Sequence, residues 1–268
     1  MWGIIPAAGS GTRIQPLAFS KELLPVGSHR EDGGREQPRA VSEYIIERMV
    51  RGGVTKICFV ISPVKTDILQ YYRGAVRDAS IAYVIQDNPA GLCDAIFRSL
   101  PLINPDESVI VGLPDTIWFP QDALTTLRDD RLSFLLFPVD NPELFDAVET
   151  EPDGRVKTIA VKSASSHSLW IWGAFKMPGR TMQHLQALWL KRGRRDQYIG
   201  TLINAFLADG GVAWTSRRGQ SYVDVGTLNG YRRAIELLRS DTQSPLIAPV
   251  AQPFVRHRGL ETAVSPSL

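Results

Sequence analysis

Cysteine is scarce in this chain, and this scarcity narrows the possible protein classes. The two cysteines, Cys58 and Cys93, form neither a CxxC pair nor a metal-ligand spacing, which argues against a disulfide scaffold or a structural zinc site. The four histidines also lack a spacing suited to metal binding or to activating a nucleophile. We therefore expect no histidine chemistry. Cys58, within an apolar run, should be a small buried residue, and Cys93 should be a helix residue without chemistry.

Long apolar runs and an excess of one charge are also missing. No run approaches the roughly 20 apolar residues of a membrane-spanning helix, and the N-terminal segment has no basic region or cleavage site typical of a secretory signal. A net charge of +2 gives no reason to expect nucleic acid as a partner. The composition predicts a soluble cytoplasmic protein that binds neither nucleic acid nor membrane.

Two familiar nucleotide-binding loops are absent as well. No Gly-Lys-Ser or Gly-Lys-Thr follows the glycines at positions 9 and 11, so the loop is not a Walker A loop. Position 14 is isoleucine, where a dinucleotide fingerprint needs its third glycine, and the acidic pair Glu31-Asp32 lies in a polar stretch instead of at the end of a strand. A dehydrogenase is therefore not favoured.

What the chain does have is a glycine-rich turn directly after the apolar run from Trp2 to Pro6. Gly9 and Gly11 allow a tight turn whose N–H groups point at an anion, and Arg13 and Lys21 add two positive charges. This pattern favours a polyphosphate ligand. An ordinary strand-to-helix turn with two exposed cations is the alternative for the G-x-G taken alone.

The full string is more specific than its glycines. Gly9, Gly11, Thr12, Arg13 and Pro16, followed by Lys21 and Pro25, match G-x-G-T-R-x-x-P and then K-x-x-x-P. This signature resembles that of the sugar-1-phosphate nucleotidylyltransferases, or NDP-sugar pyrophosphorylases, and the glucose-1-phosphate thymidylyl- and uridylyltransferases in particular. The resemblance extends over roughly residues 1 to 240. It implies that the triphosphate is bound by Ala8, Gly9, Ser10, Gly11, Thr12 and Arg13.

The apolar runs alternate with helical patterns along the N-terminal half, which predicts a parallel sheet. With the resemblance, this indicates an α/β fold with a Rossmann-like, mostly parallel central sheet flanked by helices and a smaller β-rich sugar-binding lobe. We expect one nucleotidyltransferase domain over 1–240, with a nucleotide-binding part at about 1–130 and a sugar-phosphate part at about 131–227. The polar segment 28–37 is predicted to be an inserted surface loop, and 241–268 a C-terminal tail.

The loop after the third predicted strand resembles the base-reading segment of that family. Gln86 offers both a donor and an acceptor, which suits one edge of a pyrimidine, and Gly91, followed by Leu92, would let the base approach the backbone. UTP or dTTP is therefore favoured over a purine nucleotide. The alternative is a simple turn before the helix that starts at Cys93.

Two aspartates end apolar strands, Asp115 after the run 108–113 and Asp224 before the helix predicted at about 228–238. A carboxylate at the end of a central parallel strand is costly to leave unpaired and well placed to hold a metal, although a lone aspartate there also suits a turn cap. In the family the corresponding pair shares a divalent ion, so the resemblance implies Mg²⁺ bound by Asp115 and Asp224.

The sugar-phosphate part is the least regular match. The pattern around Asp153-Gly154 predicts a hairpin. By resemblance, Lys162 grips the sugar phosphate and Gly173 approaches the sugar. The chain has Val161-Lys162-Ser163 where relatives have Glu-Lys-Pro, so the glutamate that commonly binds sugar hydroxyls is missing. The aromatic residues Trp170, Trp172 and Phe175 are expected to belong to the core more than to a sugar platform.

The sequence thus predicts transfer of a nucleotidyl group from UTP or dTTP to a sugar 1-phosphate, glucose 1-phosphate being favoured, with release of pyrophosphate. The expected catalytic residues are Arg13, Lys21, Asp115 and Lys162. Three alternatives stay open: another nucleotide, a non-sugar acceptor such as a cyclitol phosphate, or a nucleotide or sugar sensor without turnover. Self-association is possible.

Overall fold

The computed structural model describes residues 1–30 and 34–242. The α-helices within these ranges are α1 (Val41–Arg51), α2 (Thr66–Tyr72), α3 (Leu92–Arg98), α4 (Gly179–Lys191), α5 (Ile199–Ala208) and α6 (Leu228–Thr242). The strands are β1 (Trp2–Pro6), β2 (Pro25–Arg30), β3 (Glu36–Ala40), β4 (Lys56–Ile61), β5 (Ala75–Val76), β6 (Ala79–Ile85), β7 (Ser108–Gly112), β8 (Thr116–Phe119), β9 (Ser133–Pro138), β10 (Asp146–Thr150), β11 (Val156–Val161), β12 (Trp170–Pro178), β13 (Trp214–Ser216) and β14 (Ser221–Asp224).

One large sheet runs through the molecule in the order β11-β10-β12-β7-β1-β4-β6-β5, with β9 paired to β12 and β13 to β9. The strands β7, β1, β4 and β6 are parallel, whereas β12 joins β7 in antiparallel register. The predicted parallel α/β sheet is confirmed. The β-rich part is not a separate sheet but continues the parallel part through the β7–β12 pair.

The parallel strands are buried on both faces, as their nearly continuous apolar sequences require. Ile4 and Cys58 belong to the core on one face, and Ile5 and Phe59 to the core on the other. Cys58 is buried, as predicted, and Cys93, which lies in α3, is buried as well; burial raises the pKa of each thiol to about 12. Neither thiol therefore has the ionised character that cysteine chemistry needs.

The hairpin predicted at Asp153-Gly154 is present. The strands β10 and β11 pair in antiparallel register, and Gly154 has φ +89°, which glycine adopts without strain. Trp172 and Phe175 lie in the core, as expected, and Trp170 is half-buried.

The prediction of an irregular loop over 28–37 is wrong. The described part of this segment forms an antiparallel ladder between β2 and β3, with Arg30 opposite Glu36; residues 31–33 lie outside the described part. The ladder is anchored by Val26, which is fully buried and whose carbonyl accepts a hydrogen bond of 2.8 Å from the Tyr44 hydroxyl. Each strand has one buried residue, Val26 in β2 and Ala40 in β3, and one buried position per strand gives no alternating pattern, which is why the sequence did not predict these strands.

Pairing of β8 with β14 forms a second small ladder, with Asp224 opposite Thr116. The Val225 N–H donates to the Asp115 carbonyl at 2.8 Å, so the ladder continues to the residue before β8. The helix α6 then begins at Leu228, after a short turn. The predicted tail, 241–268, lies outside the described residues from position 243 on.

Candidate active site

The glycine-rich loop lies at the carboxyl end of β1, the edge of a parallel sheet where ligands bind. Ala8 is buried, whereas Ser10 and Thr12 are exposed. Within the described part of the chain, the backbone N–H groups of residues 8–13 donate no hydrogen bond to the protein. They are therefore available to an anion.

Glycine is required at position 11 by the backbone conformation there and by the adjacent Lys21 side chain. Its φ is +65°, and a Cβ at this position would lie 2.7 Å from Cδ of Lys21. The turn thus brings the loop against the Lys21 side chain. Gly9 has open space around it, with nothing within 4 Å of the position its Cβ would take.

Asp115 and Asp224 are brought together by the β8–β14 ladder, and each contacts one of the predicted cations. The Lys21 ammonium donates to the Asp115 carboxylate, and Nη2 of Arg13 lies 3.2 Å from Oδ2 of Asp224. Lys21 and Asp115, two of the four predicted catalytic residues, are therefore in contact with each other. Arg13, a third, contacts Asp224.

Gly226 marks the point where these groups converge. A Cβ there would lie 2.8 Å from Oδ1 of Asp224, 3.1 Å from Nη2 of Arg13 and 3.5 Å from Oδ2 of Asp115. The Gly226 N–H donates to Oδ1 of Asp224 at 2.6 Å. A side chain at position 226 would fill the space between the carboxylates, so glycine keeps this space open.

The two carboxylates are electrostatically unequal. Burial would raise the pKa of Asp115, but the ammonium of Lys21 holds that pKa below its ordinary value. Burial and the negative charge of Asp115 raise the pKa of Asp224. Burial opposes the charge on Lys21, yet the bonded Asp115 raises the Lys21 pKa. The site therefore holds one well-compensated carboxylate and one whose charge an additional cation would stabilise.

Lys21 is fixed by neighbours that sequence reasoning missed. Glu22, next in the chain, accepts hydrogen bonds of 2.8 Å from Nζ of Lys65 at both oxygens, and the same Nζ donates to the Ala7 carbonyl at 2.7 Å. Ser20 is bonded through N and Oγ to the carboxylate of Asp67, at 2.6 and 2.7 Å. These contacts tie the Lys21 segment to α2 and to the end of β1.

Ser42 adds a further contact. Ser42 is the second residue of α1 and is buried. Its hydroxyl donates to the Glu22 carbonyl at 2.6 Å. In the sequence, Lys65 and Asp67 follow β4. Since β1 and β4 are parallel neighbours, the carboxyl ends of both strands lie at the same edge of the sheet, and this is the one sequence feature that indicates these contacts.

The predicted base-reading residues lie in a tightly packed loop. Gln86 is 2% exposed, and its Nε2 donates to Oδ2 of Asp94 at 2.6 Å and to the Gly91 carbonyl at 3.4 Å. Gly91 has φ +95°, and a Cβ there would lie 2.8 Å from Cα of Gln197. The Leu92 N–H donates to the Gln197 carbonyl at 2.8 Å. Packing against Gln197 thus accounts for the glycine, and a contact of Gln86 with a base stays a prediction.

The predicted sugar-phosphate residues lie directly after β11 and within β12. Lys162 is exposed just after β11, and its Nζ lies 4.6 Å from the centre of the Tyr198 ring. Gly173 lies at a bulge in β12, where a Cβ would approach Phe137 to 2.6 Å and Tyr222 to 2.9 Å. Among the described residues, neither Lys162 nor Gly173 forms a hydrogen bond or an ion pair with Asp115 or Asp224.

A cavity of about 970 Å³ adjoins Asp224, one of the two carboxylates. Arg13, Tyr222 and Asp224 line one part of it, and Phe145 and Arg233 line others. Its size is at the upper end of the range for small-molecule sites, about 300–1,000 Å³.

The fold and the phosphate loop are those of a nucleotide-binding enzyme, and comparison with known protein families identifies the class. Residues 2–241 match the family described as nucleotidyl transferase. The chain therefore belongs to the nucleotidyl transferase family, and it is an enzyme of the nucleotidyltransferase class. This confirms the family expected from the loop signature.

Individual relatives match most of this chain. A glucose-1-phosphate thymidylyltransferase of Mycolicibacterium smegmatis is 26% identical over 250 residues, which cover 90% of this chain and 83% of the relative. Among solved structures, a protein of Bacillus anthracis assigned as a glucose-1-phosphate thymidylyltransferase, in complex with sucrose, has a TM-score of 0.73 at 22% identity, covering 88% of this chain and 94% of that one. A UTP-bound UGPase of Acinetobacter baumannii has a TM-score of 0.71 at 20% identity, with 91% and 94% covered. The two structures share the fold of this chain.

Proposed function

We propose that this protein transfers a nucleotidyl group from UTP or dTTP to glucose 1-phosphate, releasing pyrophosphate and forming an NDP-sugar. The observation that carries the proposal is the convergence of Arg13, Lys21, Asp115 and Asp224 on one space beside the phosphate loop. Glucose 1-phosphate and dTTP are proposed because the M. smegmatis relative is a glucose-1-phosphate thymidylyltransferase, and UTP because the A. baumannii structure is UTP-bound.

The phosphate loop would hold the triphosphate. Its free N–H groups from Ala8 to Arg13 and the charges of Arg13 and Lys21 match the negative charge of the phosphates. The Arg13 side chain is 63% exposed, so it can leave Asp224 for a phosphate with little loss of packing. In this position Arg13 stabilises the charge that develops on the departing pyrophosphate.

The acceptor phosphate would be positioned by Lys162. An oxygen of the acceptor phosphate attacks the α-phosphorus, forming one P–O bond as the bond to pyrophosphate breaks, so no covalent intermediate with the protein is needed. Catalysis then rests on alignment and charge neutralisation. The exposed position of Lys162 next to the Tyr198 ring leaves its ammonium free to reach a phosphate.

The carboxylate pair fits a magnesium ion. Mg²⁺ is usually held by one or two carboxylates and completed by substrate phosphates. In the described ranges, no group of three or more His, Cys, Asp or Glu side chains is arranged to hold a metal, so the protein alone supplies no complete cage. Asp115 and Asp224 would hold the ion, which when bound neutralises the phosphate oxygens.

Other properties stay predictions. None of the described helices is long and apolar enough to cross a membrane. A cytoplasmic location, self-association and a division near residue 130 between nucleotide-binding and sugar-phosphate parts stay predictions from the sequence.

The test is pyrophosphate release with Mg²⁺ from UTP, dTTP, CTP, GTP and ATP, each paired with glucose 1-phosphate and other sugar phosphates. Release should be fastest with UTP or dTTP and glucose 1-phosphate. Asp115→Asn and Asp224→Asn should each lower kcat by roughly a hundredfold or more, the scale of removing one charge-stabilising group. The exposed Asp106→Asn serves as the matched control.

Other results would revise the proposal in defined ways. Release only with another nucleotide or with a cyclitol phosphate would keep the reaction and change the substrate. Nucleotide binding without release under any acceptor would indicate a sensor. Normal Mg²⁺-dependent turnover in both aspartate variants would contradict the assigned site.

A further inference from the structure

The side-chain amide of Gln86 is held in one orientation by two acceptors. Its Nε2 donates to Oδ2 of Asp94 at 2.6 Å and to the Gly91 carbonyl at 3.4 Å. A carboxylate and a carbonyl oxygen both accept hydrogen bonds and donate none. The reversed amide would place Oε1 against the Asp94 carboxylate, oxygen against oxygen, so Asp94 fixes the NH₂ end of Gln86 on its own side.

The other end of this amide is the part that a ligand can use. Among the described residues, no group donates a hydrogen bond to Oε1 of Gln86. Gln86 is 2% exposed, and Oε1 nevertheless keeps contact with solvent. A nearly buried carbonyl oxygen without a donor is costly, so a ligand that donates to Oε1 gains a hydrogen bond there.

Asp94 is itself fixed by Arg98, one turn later in α3. Asp94 is 8% exposed, and Nε of Arg98 donates to the same Oδ2 at 2.8 Å. Nη1 of Arg98 also lies 3.4 Å from the carbonyl of Ile85, the residue before Gln86. The ion pair therefore ties α3 to the end of β6, and the Gln86 amide cannot turn over without opposing it.

The sheet places Gln86 within reach of a nucleotide bound at the phosphate loop. Gln86 directly follows β6, and its N–H donates to the carbonyl of Ile61 at the end of β4, at 2.8 Å. The strand β6 is the second neighbour of β1, with β4 between them and all three parallel. Two strand spacings amount to about 10 Å. A triphosphate held after β1 can therefore place its base, which the sugar separates from the phosphates, at the end of β6.

We propose that Asp94 is a positioning residue that makes Gln86 select uracil and thymine over cytosine. With its NH₂ end held by Asp94, Gln86 presents only an acceptor to the base. Uracil and thymine carry an N3–H that donates to Oε1, whereas N3 of cytosine has no hydrogen and would face Oε1 as a second acceptor. The inference rests on the proposed function, because it assigns the base specificity of that reaction.

This assignment differs from the sequence prediction in one respect. The sequence predicts that Gln86 offers a donor and an acceptor to the base, whereas in the structure the donor is engaged with Asp94 and Gly91. The discrimination then depends on a single hydrogen bond and on the residue that orients it. A site built around one such bond rejects a ligand that lacks the donor, because its own oxygen is left unpaired.

The first experiment measures kcat/KM for UTP and CTP with Mg²⁺ and saturating glucose 1-phosphate. In Asp94→Asn the new amide can donate to Oε1 of Gln86, so the Gln86 amide can turn and present Nε2 to the base. The UTP/CTP ratio should fall about 10- to 100-fold, the scale of one hydrogen bond left unpaired. Asp78→Asn, an exposed carboxylate in the turn before β6, removes the same charge and should leave the ratio unchanged.

A double-mutant cycle separates positioning from a structural role. Gln86→Ala should also lower the UTP/CTP ratio, and in that background Asp94→Asn should change the ratio less than twofold, because its effect acts through Gln86. Calorimetric dissociation constants for UTP and CTP, measured without an acceptor, should show the same pattern. This second readout does not depend on turnover.

An unchanged UTP/CTP ratio in Asp94→Asn, with a lower melting temperature alone, would overturn the inference and leave Asp94 as a packing residue of α3. Wild-type protein that binds CTP as tightly as UTP would overturn it as well, and this comparison needs no variant. Failure of the proposed function differs, since wild-type protein would then release no pyrophosphate with any sugar phosphate. The dissociation constants would still decide the role of Asp94 in that case.

Discussion

Lys65 donates hydrogen bonds of 2.8 Å to both carboxylate oxygens of Glu22, and both side chains are buried. Since Glu22 follows Lys21 directly, this ion pair fixes the position of the ammonium that contacts Asp115. Burial raises the Glu22 pKa, and the bonded Lys65 offsets the effect in part. The Glu22–Lys65 pair therefore stabilises the position of Lys21, and both side chains must lose their hydration when the pair forms.

Removing one member of this pair should cost more than removing both. We expect Glu22→Gln to lower the free energy of unfolding by about 3–5 kcal/mol, because a buried ammonium loses its counter-charge. The double variant Glu22→Gln/Lys65→Met should be more stable than Glu22→Gln. Urea unfolding followed by fluorescence measures both. A double variant as unstable as the sum of its two single variants would contradict coupling between the residues.

The two loop glycines should respond differently to alanine. In Gly11→Ala the new Cβ would lie 2.7 Å from Cδ of Lys21 at a φ of +65°, so Lys21 has to move or the turn has to open. We expect a loss of about 1–2 kcal/mol in stability from the backbone strain and a clear fall in kcat.

Gly9→Ala is the matched control for Gly11, since nothing lies within 4 Å of the position of its Cβ. Its unfolding midpoint should stay near that of the wild type, and any effect should appear in the KM for the triphosphate. Equal destabilisation by the two substitutions would refute the distinction.

Gly173 is predicted to be a packing residue whether or not the sugar approaches it. A Cβ there would lie 2.6 Å from Phe137 and 2.9 Å from Tyr222, so Gly173→Ala should destabilise by about 1–3 kcal/mol through overpacking. Thermal unfolding measures this loss. A fully stable variant with only a raised KM for the sugar phosphate would show instead that the glycine serves the ligand alone.

Acid stability should depend on Glu47. Burial opposes the charge of this carboxylate, but the guanidinium groups of Arg39, Arg51 and Arg77 lower its pKa to about 2. Because this pKa lies below the unfolded value, the charge contributes stability that is fully present above pH 4.5 and lost as the pH falls towards 2. The contribution is on the order of 3 kcal/mol at neutral pH.

The test of this pH dependence is urea unfolding at pH 7, 5 and 3. The wild type should lose stability between pH 5 and pH 3 more steeply than Glu47→Gln, which lacks the titrating group. The exposed Glu236→Gln should retain the wild-type slope. Parallel curves for all three proteins would rule out Glu47 as the main source of the slope.

Features that depend on residues close together in the sequence were predictable. Strand-ending aspartates, a glycine-rich turn after an apolar run and the Asp153-Gly154 hairpin each leave a continuous pattern in the chain. Asp115 and Asp224 each follow an apolar run, the family resemblance implied that they act as a pair, and the structure brings them to one space.

Features that depend on distant partners were not predictable. The Glu22–Lys65 pair joins residues 43 positions apart, and Gln197 packs on Gly91 from another part of the chain. The β2–β3 ladder was missed because each of its strands has a single buried residue, Val26 in β2 and Ala40 in β3.

Because β14 comes late in the sequence, the site is completed only near the end of synthesis of the described part of the chain. Arg13 and Asp224 are 211 residues apart, and β14 is the last strand in the described part of the chain. A ribosome-bound chain that has exposed the phosphate loop and Asp115 still lacks the second carboxylate. The nascent protein can therefore present its phosphate-binding turn long before it carries the full set of charged groups for turnover.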